Sequence, residues 1–478
     1  MECSIPLSRS DGPLYAQVYA GVRRAILSGA FRSGERLPST RELAEQLGVS
    51  RTVAVAAYEQ LLAEGFACGR SGSGTYVSEG LRPVPDTPGE SAAPPRLTRF
   101  GSHAAASWAR VNVPGKRTPS LPYDFAYGRS DLESFPFATW QRILMRCIRR
   151  ASVSELNYGA AAGVPALQEA IRAYLGRSRA LVCDSSQIII VSGSQQALDL
   201  IARVLVKPGD GVAVEDPNYQ GAVAVLRGAA ANLLPVPVDR EGLDPGRIPH
   251  RARIAFVTPS HQFPTGVTLP LARRLALLQW ACGRKATVVE DDYGGEFRYE
   301  GQPLESLQGL DRASRVVFTG TFSRTVFPAL RIGYLVSPRS LVPAFTAAKW
   351  LCDRQTPSLE QRALAEFISS GTYERHLLRS RRRNASRRAA LLGAIHKYLG
   401  DRVEVTGAGA GTHVVIWPRD RLAEGAIITA AAARGVAVYG VSTYRLRRSL
   451  APGILLGYSQ LTERQIIEGV RRLARAMT

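Results

Sequence analysis

Five apolar positions near the start of the chain recur with the period of an α-helix. They are Tyr15, Val18, Tyr19, Val22 and Ile26, which are spaced so that they share one helical face. This pattern predicts an amphipathic helix over residues 12–29. Gly29 and the sequence GAFRSGERLP interrupt the pattern, so we expect the helix to end there.

Two shorter helical patterns follow and are separated by a glycine. Ser39 and Glu42 have the spacing of a capping box, which predicts a helix that ends at Gly48. Ser50 is expected to cap a second helix, whose inner face carries Val53, Ala57 and Leu61. The sequence FACGRSGSGTYV then predicts two short strands around a glycine- and serine-rich turn. Helix, turn, helix and hairpin together are typical of a winged DNA-binding module.

The side chains at the start of the second short helix have the position that approaches base edges in a major groove. We expect Arg51 and Thr52 to lie there, Arg41 to contact phosphate from the preceding helix, and the wing glycines to allow close backbone approach. The predicted DNA contacts are Arg41, Ser50, Arg51, Thr52, Arg70, Gly72 and Gly74. The alternative is a helix-turn-helix that serves protein contacts only.

Charge supports a nucleic-acid partner. Lysine and arginine number 61 against 40 acidic residues, which gives a net charge of +21, and such a field favours a polyanion. The six cysteines form no CxxC pair and have no histidine at metal-ligand spacing, so we expect reduced thiols and no metal site. Apolar runs are only strand-length and the N-terminus has no signal-peptide core, which predicts a cytoplasmic protein.

A change of composition follows the wing. Residues 80–120 are rich in proline, serine, glycine and alanine and show no amphipathic periodicity. We therefore expect a flexible linker between a DNA-binding domain at residues 1–79 and a larger domain at residues 121–478.

The larger domain alternates apolar, strand-length runs with helical patterns. The runs IIIVSG, GVAVEDPNY, RIAFVTPS, ATVVEDDY and RVVFTGTF occupy residues 188–193, 211–219, 253–260, 286–293 and 315–322. Continuous apolar strands between helices predict an α/β fold with a mostly parallel sheet covered on both faces. Ligands of such sheets bind beyond the carboxyl ends of the strands.

Polar residues follow these strands and predict a pocket. Ser194 and Gln195 lie at a strand-to-helix junction, where free N–H groups bind phosphate. Thr321, Ser323 and Arg331 are placed to complete a phosphate cup.

Three further strand-end residues suit a planar heterocycle. Tyr219 offers an aromatic face, Asp291 a partner for a ring nitrogen, and Tyr293 a partner for a ring hydroxyl. A buried aspartate at a strand end also occurs as a purely structural residue, so no single position decides the matter.

Longer motifs resemble one family over essentially the whole chain. LPSTRELAEQLGVSRTVAVAAYEQLLAEG and GRSGSGTYV resemble the winged helix of GntR-type regulators. FAYGRSDLESFPFATW, NYGAAAGVPALQEAI, VSGSQQAL, EDPNY, TPSHQFPTG, VEDDYGGEFRY, FTGTFSRTVFPALRIGY and EGVRRLARA resemble the MocR subgroup, which joins that module to a fold-type I aminotransferase-like domain. The resemblance implies a pyridoxal-phosphate pocket, a small C-terminal α+β subdomain at about residues 370–478, and a head-to-tail homodimer on repeated or palindromic DNA half-sites.

One position departs from the family. Where the family has GTFSK, with a lysine that bonds covalently to pyridoxal phosphate, this chain has Arg324 at the end of GTFSR. Arginine stays protonated and its delocalised nitrogens are poor nucleophiles, whereas a buried lysine can supply a neutral amine. We therefore predict no covalent cofactor and no catalysis.

Three uses of the pocket remain open after this substitution. It holds pyridoxal phosphate without a covalent bond, it holds another anionic metabolite, or it is a dimerisation scaffold. The leading hypothesis is a ligand-sensing transcription regulator, and its rival is a pyridoxal-phosphate aminotransferase with an appended DNA-binding module.

Two features of the C-terminal hundred residues involve arginine. The apolar segment Ile454–Tyr458 stands where relatives often carry an arginine for a substrate carboxylate, and Arg445, Arg447 and Arg448 are nearby alternatives. The arginine-rich run at residues 379–388 is expected on a helix, as a solvated face, a dimer contact or a DNA contact.

Overall fold

The structure of the protein is a computed structural model that describes residues 5–8, 10–82, 96–110, 121–301, 304–420, 422–447 and 451–477. The chain divides into two compact units, residues 1–96 and 97–478. The first unit consists of α1 (Leu14–Leu27), α2 (Thr40–Leu47), α3 (Arg51–Ala63), β1 (Ala67–Arg70) and β2 (Gly74–Val77).

The first unit has the predicted winged helix-turn-helix. Its core contains Val18 and Val22 of α1, Leu43 of α2 and Leu61 of α3. The capping box of Ser39 and Glu42 is present, and Gly48 ends α2 in the left-handed conformation, with φ of 63°.

The two wing strands pair in antiparallel register, with Ala67 opposite Val77 and Arg70 opposite Gly74. One local prediction is wrong. Ser50 stands at the start of α3, but its side chain makes no capping hydrogen bond.

The predicted flexible linker contains a helix. Helix α4 (Arg99–Arg110) opens the second unit, which corrects the expectation for this part of residues 80–120. Phe100, Ala104 and Trp108 recur every four residues and so share one face, a short pattern hidden among small polar residues. Residues 83–95 and 111–120 of the predicted linker lie outside the described residues.

The second unit is built on an eight-stranded sheet in the order β4-β11-β10-β9-β8-β5-β6-β7. The strands are β4 (Ile188–Val191), β5 (Gly211–Asp216), β6 (Asn232–Asp239), β7 (Gly242–Leu243), β8 (Ala252–Val257), β9 (Thr287–Asp292), β10 (Val316–Thr321) and β11 (Gly333–Val336). The five predicted strand runs all form strands of this sheet. Strands β5, β6, β8, β9 and β10 are parallel, and β11 runs antiparallel between β4 and β10.

Helices cover both faces of this sheet. They are α5 (Phe137–Arg150), α6 (Pro165–Arg179), α7 (Ser194–Leu205), α8 (Gln220–Gly228), α9 (Leu271–Arg284), α10 (Leu307–Leu310), α11 (Val342–Asp353) and α12 (Ser358–Ser369). Alternate residues of β4 face opposite ways: Ile188 and Ile190 belong to the core cluster of α6 and α12, whereas Ile189 and Val191 belong to that of α7. The continuous apolar run therefore follows from burial on both sides.

A smaller antiparallel sheet completes the chain, in the order β12-β13-β16-β15. Its elements are α13 (Thr372–Tyr398), β12 (Val403–Thr406), β13 (His413–Pro418), α14 (Glu424–Ala432), β14 (Val436–Ala437), β15 (Tyr439–Gly440), β16 (Ile454–Gly457) and α15 (Glu463–Ala476), and β14 pairs with the early strand β3 (Tyr123–Asp124). This is the α+β subdomain that the resemblance implied.

The arginine-rich run lies on α13, as predicted, but four of its side chains contact other parts of the second unit, and one of them, Arg388, pairs with Glu300. Arg383 and Arg387 form ion pairs with Asp131 at 3.2 and 2.9 Å, and the Arg381 Nε–H donates to the Glu296 carbonyl at 2.5 Å. These contacts tie α13 to the body of the second unit. Within the described part of the chain, no helix is long and apolar enough to cross a membrane.

Candidate functional site

The second unit contains a cavity of about 1050 Å³ beyond the carboxyl ends of the parallel strands. Its lining includes all nine pocket residues expected from the sequence, which are Ser194, Gln195, Tyr219, Asp291, Tyr293, Thr321, Ser323, Arg324 and Arg331. These residues come from separate strand ends and the turns after them. The crossover topology of the sheet brings them together.

One end of the cavity is suited to an anion. Helix α7 begins there at Ser194, after Gly193 with a φ of 85°. A Cβ on Gly193 would lie 2.7 Å from Nη2 of Arg331, so the glycine allows this guanidinium to approach the helix N-terminus. The same Nη2 donates to the Ser192 carbonyl at 2.8 Å. A helix N-terminus beside an arginine attracts negative charge.

The hydroxyl groups of the following strand end complete this region. Thr321 Oγ1 donates to Ser323 Oγ at 3.0 Å, and the Ser323 backbone N–H donates back to Thr321 Oγ1 at 3.1 Å. This local turn holds both side chains on the cavity wall.

Unpartnered polar atoms mark the middle of the cavity. Asp291 Oδ1 and the Tyr293 hydroxyl are buried and have no hydrogen-bond partner among the described residues. Buried polar groups are rarely left unpaired, so both atoms are available to a ligand. The Tyr219 hydroxyl donates to Gln195 Oε1 at 3.3 Å, which fixes its ring on the cavity wall.

The burial of Asp291 and Tyr293 raises the pKa values of both side chains, which favours their neutral forms. Burial, together with the nearby Asp292, raises the pKa of Asp291 to about 7, and the Arg324 guanidinium partly opposes that rise. Burial also raises the pKa of Tyr293 well above its ordinary value. The carboxyl of Asp291 is thus close to the balance point between its two forms near neutral pH.

Arg324 lies on the cavity wall, where the sequence placed it. Its Cζ is 5.8 Å from the centre of the Tyr293 ring. A Cβ on Gly128 would lie 3.0 Å from Nη1 of Arg324, so the glycine leaves room for the guanidinium. Ser130 Oγ donates to the carbonyls of Ser323 and Arg324 at 2.8 and 3.2 Å, which anchors the backbone at this point.

The Arg324 side chain forms no ion pair with the carboxylates of the described residues, although 20 ion pairs connect other residues within the described ranges. None of the described lysines lines the cavity: Lys349 is fully buried beside Asp353, and Lys207, Lys285 and Lys397 belong to other parts of the unit. The described part of the cavity wall therefore has a cation without an ion pair but no amine.

Sequence reasoning missed several lining residues. Tyr127, Gly128, Thr258 and Phe263 contribute to the wall, and two of the family motifs, FAYGRSDLESFPFATW and TPSHQFPTG, contain all four of them. The missed set also includes residues of α4, which no motif indicated.

A histidine pair behind the cavity was not predicted either. The rings of His261 and His413 are 4.8 Å apart, from segments far apart in sequence. Burial lowers the pKa of His413 to about 4, and burial and His413 lower that of His261 well below its ordinary value. Both rings are therefore neutral at physiological pH.

The segment near the C-terminus offers no carboxylate site at the position considered. Ile454–Gly457 is the buried strand β16. Arg445 stacks on Trp417 at 5.8 Å, and neither it nor Arg447 belongs to the described cavity wall. Arg448 lies outside the described residues.

The residues of the first unit that are predicted to contact DNA are exposed to solvent. Arg41 stands in the first turn of α2, Arg51 and Thr52 begin α3, and all three are exposed. Gly72 and Gly74 in the wing turn have φ of 74° and 114°, which favours glycine.

Arg70 lies on the wing beside these glycines. It stacks 4.6 Å from the Tyr76 ring centre and forms an exposed ion pair with Glu79 at 2.9 Å. Arg36, which was not predicted, reaches the same turn: its Nε would lie 3.1 Å from a Cβ on Gly74.

Comparisons with known proteins agree with both units. Residues 14–77 match the family described as bacterial regulatory proteins, gntR family, and residues 128–454 match aminotransferase class I and II. The chain is 38% identical to the probable rhizopine catabolism regulatory protein MocR of Rhizobium meliloti, over 98% of this chain and 94% of that protein. It is 35% identical to the HTH-type transcriptional regulator TauR of Rhodobacter capsulatus, over 98% and 97%.

A solved structure resembles the second unit in particular. The crystal structure of kynurenine aminotransferase from Pyrococcus horikoshii superposes with a TM-score of 0.71 at 28% identity, and covers 80% of this chain and 94% of that one. The winged helix, the aminotransferase-like sheet and relatives matched from end to end lead to one assignment. The chain belongs to the MocR-type members of the GntR family, DNA-binding transcription regulators in which a winged helix-turn-helix is joined to an aminotransferase-like domain.

Proposed function

We propose that this regulator binds operator DNA through its winged helix and senses an anionic effector held without a covalent bond in the cavity of its second unit. The observation that carries the proposal is the cavity wall itself. It keeps every residue expected to hold a phosphorylated ring, but has Arg324 where an amine is needed.

The lining of the cavity suits pyridoxal phosphate, the cofactor that its fold family normally binds. The phosphate would be held by Arg331 and the N-terminus of α7, with Thr321 and Ser323 beside it. Asp291 Oδ1 suits the ring nitrogen and the Tyr293 hydroxyl the ring hydroxyl, because both atoms are buried and unpartnered. The residues fit the group, which when bound supplies a reactive aldehyde.

Arg324 determines what this cavity can do with such a ligand. Its guanidinium keeps its proton and cannot attack an aldehyde carbon. As a cation without an ion pair among the described carboxylates, it can instead donate bidentate hydrogen bonds to the oxygens of a carboxylate or phosphate. The rival function, an aminotransferase with an appended DNA module, needs an amine at the position of Arg324, and no lysine among the described residues lines the cavity.

The DNA side of the proposal rests on the exposed residues of the first unit. Arg51 and Thr52 would contact base edges from the start of α3, with Ser50 beside them. Arg41, Arg70, Gly72 and Gly74 would contact the sugar-phosphate backbone. A head-to-tail homodimer would present two such units to repeated or palindromic half-sites, in the cytoplasm where bacterial operators are found.

Thermal unfolding with small anions tests the sensing function. Pyridoxal 5′-phosphate and a set of phosphorylated or carboxylated rings would be added to the full chain, before and after borohydride treatment. We expect at least one of them to raise Tm, and dialysis to reverse the effect even after borohydride. If none of them stabilises the protein, the domain is a scaffold; if the effect survives dialysis only after borohydride, the bond is covalent.

A further inference from the structure

Helix α4 forms part of the cavity wall, and none of its residues is among the nine expected to hold a phosphorylated ring. It contributes Phe100, His103, Ala104, Ser107 and Trp108 to the lining. The cavity therefore continues beyond the region that a phosphorylated ring would fill. Its outer part lies between α4 and α8.

The facing surface of α8 is made of small residues. Gly221, Ala224, Val225 and Gly228 recur at helical spacing and line the same space. A Cβ on Gly228 would lie 3.3 Å from the Phe100 ring, so α4 approaches α8 where there is no side chain. This contact is slight, because Phe100 and Trp108 remain 54% and 63% exposed.

We propose that α4 is the wall of the cavity that contacts the outer, apolar part of the effector and reports its presence to the winged helix. The effector class is an anionic or phosphorylated ring that carries an apolar arm. The inner residues bind the ring, and the arm lies between α4 and the small residues of α8. This proposal rests on the proposed function, since it assumes a ligand in the cavity.

The position of α4 in the chain explains how a ligand in the cavity can affect DNA binding. Val77 ends the wing and Arg99 begins α4, 22 positions later, whereas Tyr123 of the main body is 46 positions from Val77. Displacement of α4 would therefore lengthen the connection from 22 to 46 positions. Doubling a connection lowers the effective concentration of the second DNA-binding unit at its half-site by about 3-fold.

The ligand class is tested through Trp108, the tryptophan among the described cavity residues. The probes are pyridoxal 5′-phosphate, which has no arm, and N-(5′-phosphopyridoxyl)-L-leucine, which has an apolar arm and no aldehyde. We expect only the second probe to change the tryptophan emission, and the change to disappear in Trp108→Phe. Equal responses to both probes, or a response that survives Trp108→Phe, would overturn the assignment, and so would binding of the second probe without any response.

The coupling between α4 and DNA binding is tested without ligand in two variants. In Gly228→Val, the added methyl groups would collide with Phe100. In Phe100→Ala, the contact of α4 with α8 is removed. The control is Gly283→Val near the end of α9, where a Cβ meets no atom within 4 Å. The DNA is a duplex selected from a random pool by the full wild-type chain. We expect the affinity for two half-sites to fall by about 3-fold in both α4 variants and that for one half-site to stay unchanged.

Unchanged affinity in both α4 variants would contradict the coupling, as would an equal loss on the single half-site. If the wild-type chain selects no duplex at all, the proposed DNA-binding function fails instead. The two failures are thus distinguishable.

Discussion

Arg324 and Asp291 lie on the wall of one cavity but form no ion pair with each other. The Arg324 guanidinium is near enough to lower the pKa of the Asp291 carboxyl, yet burial and Asp292 raise that pKa to about 7. Paired charges would neutralise each other and close the site. Separated charges leave an acceptor and a donor facing the cavity, which is the arrangement that a zwitterionic or anionic ring requires.

The raised pKa of Asp291 predicts how stability changes with pH. An unfolded aspartate loses its proton near pH 4, whereas folded Asp291 keeps it to about pH 7. Since the folded state holds this proton in this range and the unfolded state does not, the contribution of Asp291 to the free energy of unfolding falls as pH rises from about 4 to 7. Glu215 and Glu290, with pKa values raised to about 7 by burial, act in the same direction.

Asp291→Asn should therefore make the free energy of unfolding fall less, or rise more, between about pH 4 and 7 than it does in the wild type, because it deletes one carboxyl that keeps its proton only in the folded state. The measurement is urea denaturation at a series of pH values. The exposed Asp401→Asn serves as the control and should keep the wild-type slope. A wild-type slope in Asp291→Asn would show that this carboxyl ionises normally.

The proposed base contact predicts a loss of DNA specificity in Arg51→Ala. Removing a side chain that reads a base costs about 1–3 kcal/mol, or about 5- to 150-fold in affinity. Mobility shifts with a selected duplex measure this loss, and the melting of the second unit should be unchanged. Arg24→Ala removes an equally exposed charge from the last turn of α1 and should have a smaller, sequence-independent effect. Equal losses in both variants would mean that Arg51 contributes only charge.

A buried ion pair stabilises the end of strand β9, which contains Asp291. The Arg179 Nε–H donates to Asp292 Oδ2 at 2.5 Å, and both side chains are 4% exposed. Arg179→Met leaves the Asp292 carboxylate unpaired, and we expect a loss of about 3–5 kcal/mol. Arg172→Met, on the same helix, breaks an exposed pair with Glu169 and should cost at most about 1 kcal/mol. Chemical denaturation of the second unit compares the two variants, and equal losses would contradict this role for the buried pair.

The sequence predicted those parts of the molecule in which local chemistry determines structure. Strand-end residues such as Tyr219 and Asp291 could be placed because parallel strands end at one edge of a sheet. The capping box of Ser39 could be read directly, because it depends on two positions only. The missing hydrogen bond of Ser50 could not, since residue type shows a capacity to cap and not the final orientation of the side chain.

The missed features depend on contacts between distant segments. Helix α4 packs Phe100 against Gly228, which lies more than a hundred residues later in the chain. Its own sequence therefore gives only a weak helical pattern. The pairing of His261 with His413 requires the small subdomain to meet the main sheet. Each contact becomes visible only when the tertiary structure is known.

Replacement of Arg324 by lysine tests the non-covalent site most directly. Arg324→Lys restores a group that can become a neutral amine, in a cavity whose other ring- and phosphate-binding residues are in place. Arg129→Lys is the matched control, because it puts a lysine elsewhere on the same wall.

The decisive measurement is the visible absorption of each protein with pyridoxal 5′-phosphate, followed by borohydride and mass analysis of the chain. We predict a bound-cofactor band and a borohydride-fixed adduct in Arg324→Lys, and neither in the wild type or in Arg129→Lys. A borohydride-fixed cofactor on the wild-type chain would contradict the central claim that this regulator holds its ligand without a covalent bond.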